Sequence, residues 1–237
     1  MAVRAPRIAA IGFLAALLAI TAPPSRAEHE TRELSGFDRL ELRTGARIVI
    51  RQGMPEGIEI EAGPEVLPLI GTRVDNRTLH IQDEQTFEPQ AARVTVTLRQ
   101  LRGLSTSGLT QVSASGLSGG ELSITGGGGS AMRLQRLEVG RLRVALGGSS
   151  RLVLDGSARE LTAQLGGSAG LDAGRLDAGA AMVQGGGSAR ATVCVRSSLN
   201  VAIGGAASVG YYGMVKPTVA IGGTATLKAL GPMPALR

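Results

Sequence analysis

The chain has 237 residues, including 35 glycines and one cysteine, with 2% aromatic residues and a formal net charge of +6. The lone Cys194 excludes an intrachain disulfide, so burial must hold the fold together. Because aromatic residues are scarce and none lies in a basic cluster, the composition argues against nucleic-acid binding, and we expect no nucleic-acid partner.

The amino-terminal segment has the layout of a secretory signal peptide. Arg4 and Arg7 precede an uncharged apolar run over residues 8–20, and small residues then mark a cleavage site. The apolar run is short for a membrane span. We therefore expect residues 1–27 to be removed, an exported chain that begins at Glu28, and no transmembrane segment after cleavage. The alternative is an uncleaved anchor.

The segment that follows alternates apolar and polar residues in short runs, which is the period of a half-buried strand. A helical turn or a cap over the core is expected at residues 66–71. The predicted strands contain Leu40–Leu42, Ile48–Ile50, Ile58–Ile60, Leu79–Ile81 and Val94–Val96.

A glycine pair followed by a small residue recurs through the second half of the chain. The small residue returns at intervals of 19, 19, 20, 18 and 18 residues. Regular self-similarity of this kind indicates a repeat architecture rather than a disordered glycine-rich tract. The units are Gly128-Gly129-Ser130, Gly147-Gly148-Ser149, Gly166-Gly167-Ser168, Gly186-Gly187-Ser188, Gly204-Gly205-Ala206 and Gly222-Gly223-Thr224.

Apolar residues keep a constant register with the glycine pairs. The residue five positions before the small residue is apolar in five of the units. We predict that the valines at this position form one inward column: Val144, Val183, Val201 and Val219. In the first unit Leu122 and Ile124 come one residue early, which we interpret as a bulge from one inserted residue in the run 126–129.

Each unit is thus interpreted as a strand, a glycine corner, a second strand and a second turn. Candidate second turns are Asp155-Gly156 and Ala173-Gly174. Such a unit buries its apolar face only when coils stack, with backbones about 4.8 Å apart. The sequence therefore predicts an all-β parallel β-helix with coils of about 19 residues.

The ends of this region resemble a known family. Phe37-Asp38-Arg39-Leu40, residues 48–53 and residues 78–81 are similar to the start of the head GIN domain (DUF2807) family, labelled an auto-transporter adhesin. Tyr211-Tyr212-Gly213, Pro217 and residues 221–224 resemble its closing coil. The resemblance covers about residues 34–230 and implies a right-handed β-helix in or outside the bacterial envelope. Corner aspartates usual in the family are replaced here by serine and alanine.

Two motifs could suggest a hydrolase. Ser118 and Ser168 each lie in a G-x-S-x-G pattern, but that nucleophile motif needs a strand-to-helix turn. Ser168 is also a repeat corner. The two histidines, His29 and His80, lie outside the repeats. We expect neither serine to be catalytic.

Other candidate chemistry is equally sparse. Glycan hydrolysis would need two carboxylates facing one cleft, and Asp83, Glu84 and Glu88 cluster only in a predicted loop at residues 82–90. Asn76-Arg77-Thr78 fits a glycan acceptor pattern but is interpreted as a turn between strands. The corners lack the aspartates of calcium-binding repeats, and the cysteine and histidines match no zinc spacing. We expect no catalytic, cofactor-binding or metal-binding residues.

These observations predict a signal peptide at residues 1–27, one β-helix domain at residues 34–230 and a flexible tail at residues 231–237. The expected function is that of a non-catalytic, adhesin-like or structural protein of the periplasm or cell surface, with an unidentified glycan or protein partner. The alternatives are a β-helical glycan-active enzyme, either a lyase or a hydrolase, and a purely structural or signalling protein of the periplasm.

Overall fold

The computed structural model describes residues 27–234, so most of the predicted signal peptide and the end of the predicted tail lie outside the described residues. The described chain is nearly all β, with one 3-10 turn at Leu67–Leu69. The strands are β1 (Glu28–Arg32), β2 (Arg39–Arg43), β3 (Arg47–Gln52), β4 (Gly57–Ala62), β5 (Ile70–Asp75), β6 (Thr78–Asp83), β7 (Ala92–Leu98), β8 (Gly103–Thr106), β9 (Gln111–Ser115), β10 (Ser118–Gly126), β11 (Ala131–Leu146), β12 (Arg151–Leu165), β13 (Gly170–Gly185), β14 (Arg190–Ile203), β15 (Ser208–Tyr212), β16 (Thr218–Ile221) and β17 (Thr226–Gly231).

The strands wind into a β-solenoid of about six turns, which confirms the predicted parallel β-helix. From β8 onwards each strand pairs in parallel with the equivalent strand one coil later, as when Leu152 pairs with Leu171 and Leu171 with Ala191. Strands β11 to β14 are long because each follows one corner, continues round a bend and ends at the next corner. Right-handed winding remains a prediction.

The first coils are not stacked in sequence order. Strands β6 and β7 pair with β2 and β3 on one side, while β8 and β9 pair with β2 and β3 on the other side. The earliest coil is therefore held between two later ones. Beyond β6 and β7, strands β5, β4 and β1 add in antiparallel orientation and cover this end of the solenoid.

Aliphatic columns fill the interior. Val144, Val183 and Val201 stack in one column through Ala163, and all are at most 3% exposed. Val219 continues the register above Val201 but is 43% exposed. The predicted column is therefore confirmed in register, but Val219 is not buried, because no described strand stacks on β16 beyond it.

The glycine corners are held by the backbone. One glycine of each corner has a positive φ, Gly128 in the first unit and the second glycine of the pair in the other five, and its position leaves no room for a side chain, since an added Cβ at Gly167 would lie 2.8 Å from the Gly148 carbonyl oxygen. The left-handed conformation strains residues with a Cβ. Each following residue donates its N–H to the preceding corner glycine, as Ser168 does to Gly148 at 2.8 Å.

This corner geometry corrects one prediction. Gly128 has the positive φ that Gly148 has in the next coil, and Ile124 pairs directly with Val144. The predicted bulge in residues 126–129 is absent from this pairing, and Ser130 corresponds to the buried Ser150 rather than to Ser149. An earlier corner, which has no glycine pair, is centred on Gly108.

Two shorter features follow the sequence expectations. The second bend contains Gly156, with a φ of 125°, where the register between neighbouring strands shifts inside continuous strands. Asn76 and Arg77 both have positive φ and form the predicted turn, here joining β5 to β6. Two consecutive left-handed residues are typical of a type I′ hairpin.

Candidate functional site

The solenoid presents two extended outer surfaces beside the glycine corners. The groove face is the outer side of the strands that precede the corners, namely β2, β6, β8, β10, the carboxyl-terminal parts of β11 to β14, and β16. The arginine face is the outer side of the strands that follow the corners, namely β3, β7, β9, the amino-terminal parts of β11 to β14, β15 and β17. Side chains alternate inward and outward along each strand, so every second residue faces solvent.

An open groove of about 850 Å³ lies on the groove face. Gly103, Ser105 and Ser123 form its floor, because small side chains at these outward positions leave the sheet uncovered. Arg39 closes one side, and an added Cβ on Gly103 would lie 3.1 Å from its side chain. Small outward residues therefore create this depression.

The depression continues along the solenoid. A second groove of about 830 Å³ shares Thr125 with the first and extends over later coils. Gln164 donates its side-chain N–H to Gln184 at 3.4 Å, which joins two successive coils within it. Together the two grooves form one trough, whose central column is Ser105, Thr125, Ala145, Gln164, Gln184 and Ala202.

Within residues 27–234, charges beside the trough are paired, with the exception of Arg39. Arg143 contacts Glu121, and the Nε of Arg141 lies 3.0 Å from Glu160. Both pairs bridge adjacent coils of the groove face. The trough is therefore polar through hydroxyl, amide and backbone groups, and its neighbouring charges other than Arg39 are compensated.

The trough contains two carboxylates that sequence analysis did not bring together, Glu41 and Glu121. Glu41 lies two coils from Thr125 in the same column, through Ser105. Thr125 in turn is four residues after Glu121 on strand β10. At about 4.8 Å per coil and about 3.3 Å per residue, the backbones of Glu41 and Glu121 are about 16 Å apart. Both carboxylates are engaged by arginines, since Arg43 lies 2.6 Å from Glu41 and Arg143 contacts Glu121.

The serines in hydrolase-like motifs lie at separate places. Ser168 is an exposed corner residue, and Ser118 accepts a hydrogen bond at 3.4 Å from Gln52. His80, on strand β6, lies 3.3 Å from Glu41 and is five coil spacings from β12, the strand that ends at the Ser168 corner. The structure therefore does not bring either serine together with this histidine.

The acidic loop residues have a structural role in one case. Asp83 accepts hydrogen bonds from the Thr44 hydroxyl at 2.5 Å and from the Gly45 N–H at 2.7 Å, so its carboxylate holds the first corner. Within residues 27–234, no group of three or more potential metal-ligating side chains is present. Nor does this part of the chain form a helix long and apolar enough to cross a membrane.

Cys194 is a buried free thiol beside Asp177 and Arg196. Burial raises the pKa of the Cys194 thiol, the Asp177 carboxylate raises it further, and the Arg196 guanidinium acts in the opposite direction. A buried thiol that holds its proton is a poor nucleophile. This cysteine therefore packs in the core.

Comparison with known proteins gives a family and a fold. The family model "Putative auto-transporter adhesin, head GIN domain" matches residues 36–214. A solved Bacteroides fragilis "putative adhesin" is similar at 22% identity and a TM-score of 0.81, over 88% of this chain and 99% of that chain. A Parabacteroides merdae "putative adhesin" is similar at 16% identity and a TM-score of 0.67, over 87% and 97% respectively.

A Parabacteroides distasonis structure described as a "putative lipid binding protein" shares 13% identity, with a TM-score of 0.67 over 87% of this chain and 98% of that chain. No curated protein matches the chain. At these sequence identities the structural similarity shows the fold alone. Because proteins with this fold are described both as adhesins and as a lipid-binding protein, the fold does not identify a ligand, which must be argued from the surface residues of this chain.

Proposed function

Because the chain belongs to the head GIN domain family, described as auto-transporter adhesins, we propose that it is an exported, non-catalytic, adhesin-like protein of the periplasm or cell surface. Its trough binds an extended, uncharged, hydroxyl-rich polymer such as a neutral polysaccharide. The observation that carries this proposal is the continuous trough across the groove face.

The dimensions of the trough suit a polymer better than a small molecule. Its central column crosses five coil spacings between Ser105 and Ala202, which is about 24 Å at about 4.8 Å each. Hydroxyl and amide groups can exchange hydrogen bonds with sugar hydroxyls, and the paired charges beside them favour a ligand without charge. The parallel ladder holds these groups rigidly, which reduces the entropy lost on binding.

Binding rather than turnover is favoured by the placement of the ionisable groups. Glu41 and Glu121 are about 16 Å apart at the backbone, and both are engaged by arginines, Glu41 by Arg43 and Glu121 by Arg143. Ser118 and Ser168 have no histidine among their hydrogen-bond partners in the described chain. These arrangements support a binding surface.

Export has its own test. The full chain should be expressed with its own leader, and the exported product should begin at Glu28, the first residue of β1. Amino-terminal sequencing and intact mass measure this directly. A product that retains residues 1–27 would contradict the proposed processing.

Binding is tested with a glycan array and one variant that fills the trough. Ser123→Trp places an indole on the exposed floor without entering the core, and Ser157→Trp is a matched control at an exposed position away from the trough. We expect Ser123→Trp to weaken binding to neutral polysaccharide at least tenfold and Ser157→Trp to bind normally. Equal binding by both variants would contradict the trough as the site, and polysaccharide cleavage lost in Glu121→Gln would support the enzyme alternative.

A further inference from the structure

Arginines recur in one column of the arginine face. Arg47 on β3 is followed along the ladder by Gln111, Ala131 and then Arg151. The column continues through Gly170 to Arg190, and Arg93 on β7 lies on the other side of Arg47. The side chains of all four arginines point to solvent.

The neutral residues between Arg47 and Arg151 leave an open groove of about 400 Å³. Ala131 is too short to cover the sheet here, and Ser113 and Gln111 add polar groups to the lining. Arg133 in the adjacent column also lines the groove, so three guanidinium groups from three different coils surround it. Arg47 and Arg151 are about 14 Å apart at the backbone, since three ladder spacings of about 4.8 Å separate them.

The arginine face differs from the groove face in its charge balance. None of the arginines at positions 47, 93, 133, 151 and 190 forms a salt bridge with any carboxylate of residues 27–234. No carboxylate lines the groove, and the acids nearest in register are Asp172, one coil beyond Val153, and Glu61, beside Arg93.

We propose that this groove binds an acidic polysaccharide through its carboxylate or sulfate groups. Guanidinium groups present paired N–H donors that match both kinds of oxyanion. A single exposed ion pair contributes less than about 1 kcal/mol, so useful affinity requires a polyanion that contacts several arginines at once. The column supplies such a series, and it lies on a different surface from the trough.

A nucleic acid is the less favourable polyanion for this surface. Proteins that bind single strands combine a basic groove with aromatic side chains on which bases stack. The groove lining contains no aromatic residue. Its polar groups, from Gln111 and Ser113, suit sugar hydroxyls between the charged groups.

The test compares two charge-matched double variants of the exported chain. Arg133→Gln/Arg151→Gln removes two groove arginines, while Arg73→Gln/Arg159→Gln removes two exposed arginines that lie outside the arginine face. Probes are polygalacturonate as carboxylated polymer, heparin as sulfated polymer, dextran as neutral polymer and single-stranded DNA. Thermal melts establish that both variants retain the fold.

We expect the native chain to bind at least one acidic polysaccharide, with affinity that falls as salt rises. The groove variant should bind at least tenfold more weakly with a shallower salt dependence, and the control variant within about threefold of the native chain. Preference between polygalacturonate and heparin identifies the anionic group. Absence of binding to both polymers, equal losses in the two variants, or tighter binding to DNA would each overturn the proposal.

Discussion

Replacing Gly167 by alanine tests the structural role of the corner column. Gly167 has a φ of +66°, and an added Cβ would lie 2.8 Å from the Gly148 carbonyl oxygen and 3.2 Å from the Gly148 nitrogen. The same carbonyl oxygen accepts the N–H of Ser168 at 2.8 Å. The methyl group must therefore push apart two coils where their backbones are bonded.

Three contributions determine the expected loss of unfolding free energy. The left-handed conformation costs alanine about 1–2 kcal/mol. Steric displacement in a packed region costs about 1–3 kcal/mol, and weakening one backbone hydrogen bond costs about 1 kcal/mol. We expect Gly167→Ala to lower the free energy of unfolding by about 3–6 kcal/mol, which corresponds to a fall in Tm of about 6–24 °C for a domain of this size.

The neighbouring Gly166 provides the matched control. Its φ is not positive, and an added Cβ would meet only the Leu146 carbonyl oxygen at 4.0 Å. Gly166→Ala should leave stability unchanged or raise it by up to about 1 kcal/mol, because alanine reduces the entropy of the unfolded chain. Urea and thermal unfolding measure both variants. A Gly166→Ala loss as large as that of Gly167→Ala would refute the reasoning.

The remaining predictions use the same unfolding assays. Val201→Asp should lower the free energy of unfolding by more than about 4 kcal/mol, whereas Val219→Asp in the same column should lower it by less than about 1 kcal/mol, since Val219 is 43% exposed. Similar losses in the two variants would contradict the exposure of Val219 at the last described coil. Ser168→Ala should change stability by less than about 0.5 kcal/mol, whereas Ser150→Ala should cost about 1 kcal/mol because the buried Ser150 hydroxyl donates to Gly147 at 2.8 Å. Because the pKa of Cys194 is raised, the folded state keeps a proton that the unfolded state loses above about pH 8.5, so stability should fall as pH rises further. The Cys194→Ala variant should lose this part of the pH dependence, and an identical pH profile would refute it.

Repeats and alternation predicted much of the fold because each is a local signal with a geometric meaning. The recurrence of the glycine pairs matched the coils, and the alternating runs before residue 100 became β2, β3, β4, β6 and β7. Residues 66–71 contain the predicted helical turn. These features depend on the alternation of apolar and polar side chains and on the left-handed backbone at each corner. Both are specified locally, by the residue types at those positions.

The trough could not be predicted because its parts are distant in sequence. Glu41, Ser105 and Thr125 are in one column only because β6 and β7 pair on the far side of β2 and β3, which leaves β2 free to pair with β8. No local pattern signals that change in stacking order. The corner at Gly108 was missed for a simpler reason, since Leu109 follows it in place of a small residue.

The groove face and the arginine face place charged residues differently, although stacking brings equivalent residues of successive coils close together on both. Equivalent outward residues lie about 4.8 Å apart, so like charges in adjacent coils repel. On the groove face the chain compensates them, as in the Arg141–Glu160 pair. On the arginine face Arg47 and Arg93 are directly adjacent in register, but Gly170 separates Arg151 from Arg190, so the backbones of these last two residues are about 10 Å apart, beyond the Debye length of about 8 Å at physiological salt. Their mutual repulsion is screened in the free protein, while a polyanion along the column still contacts both.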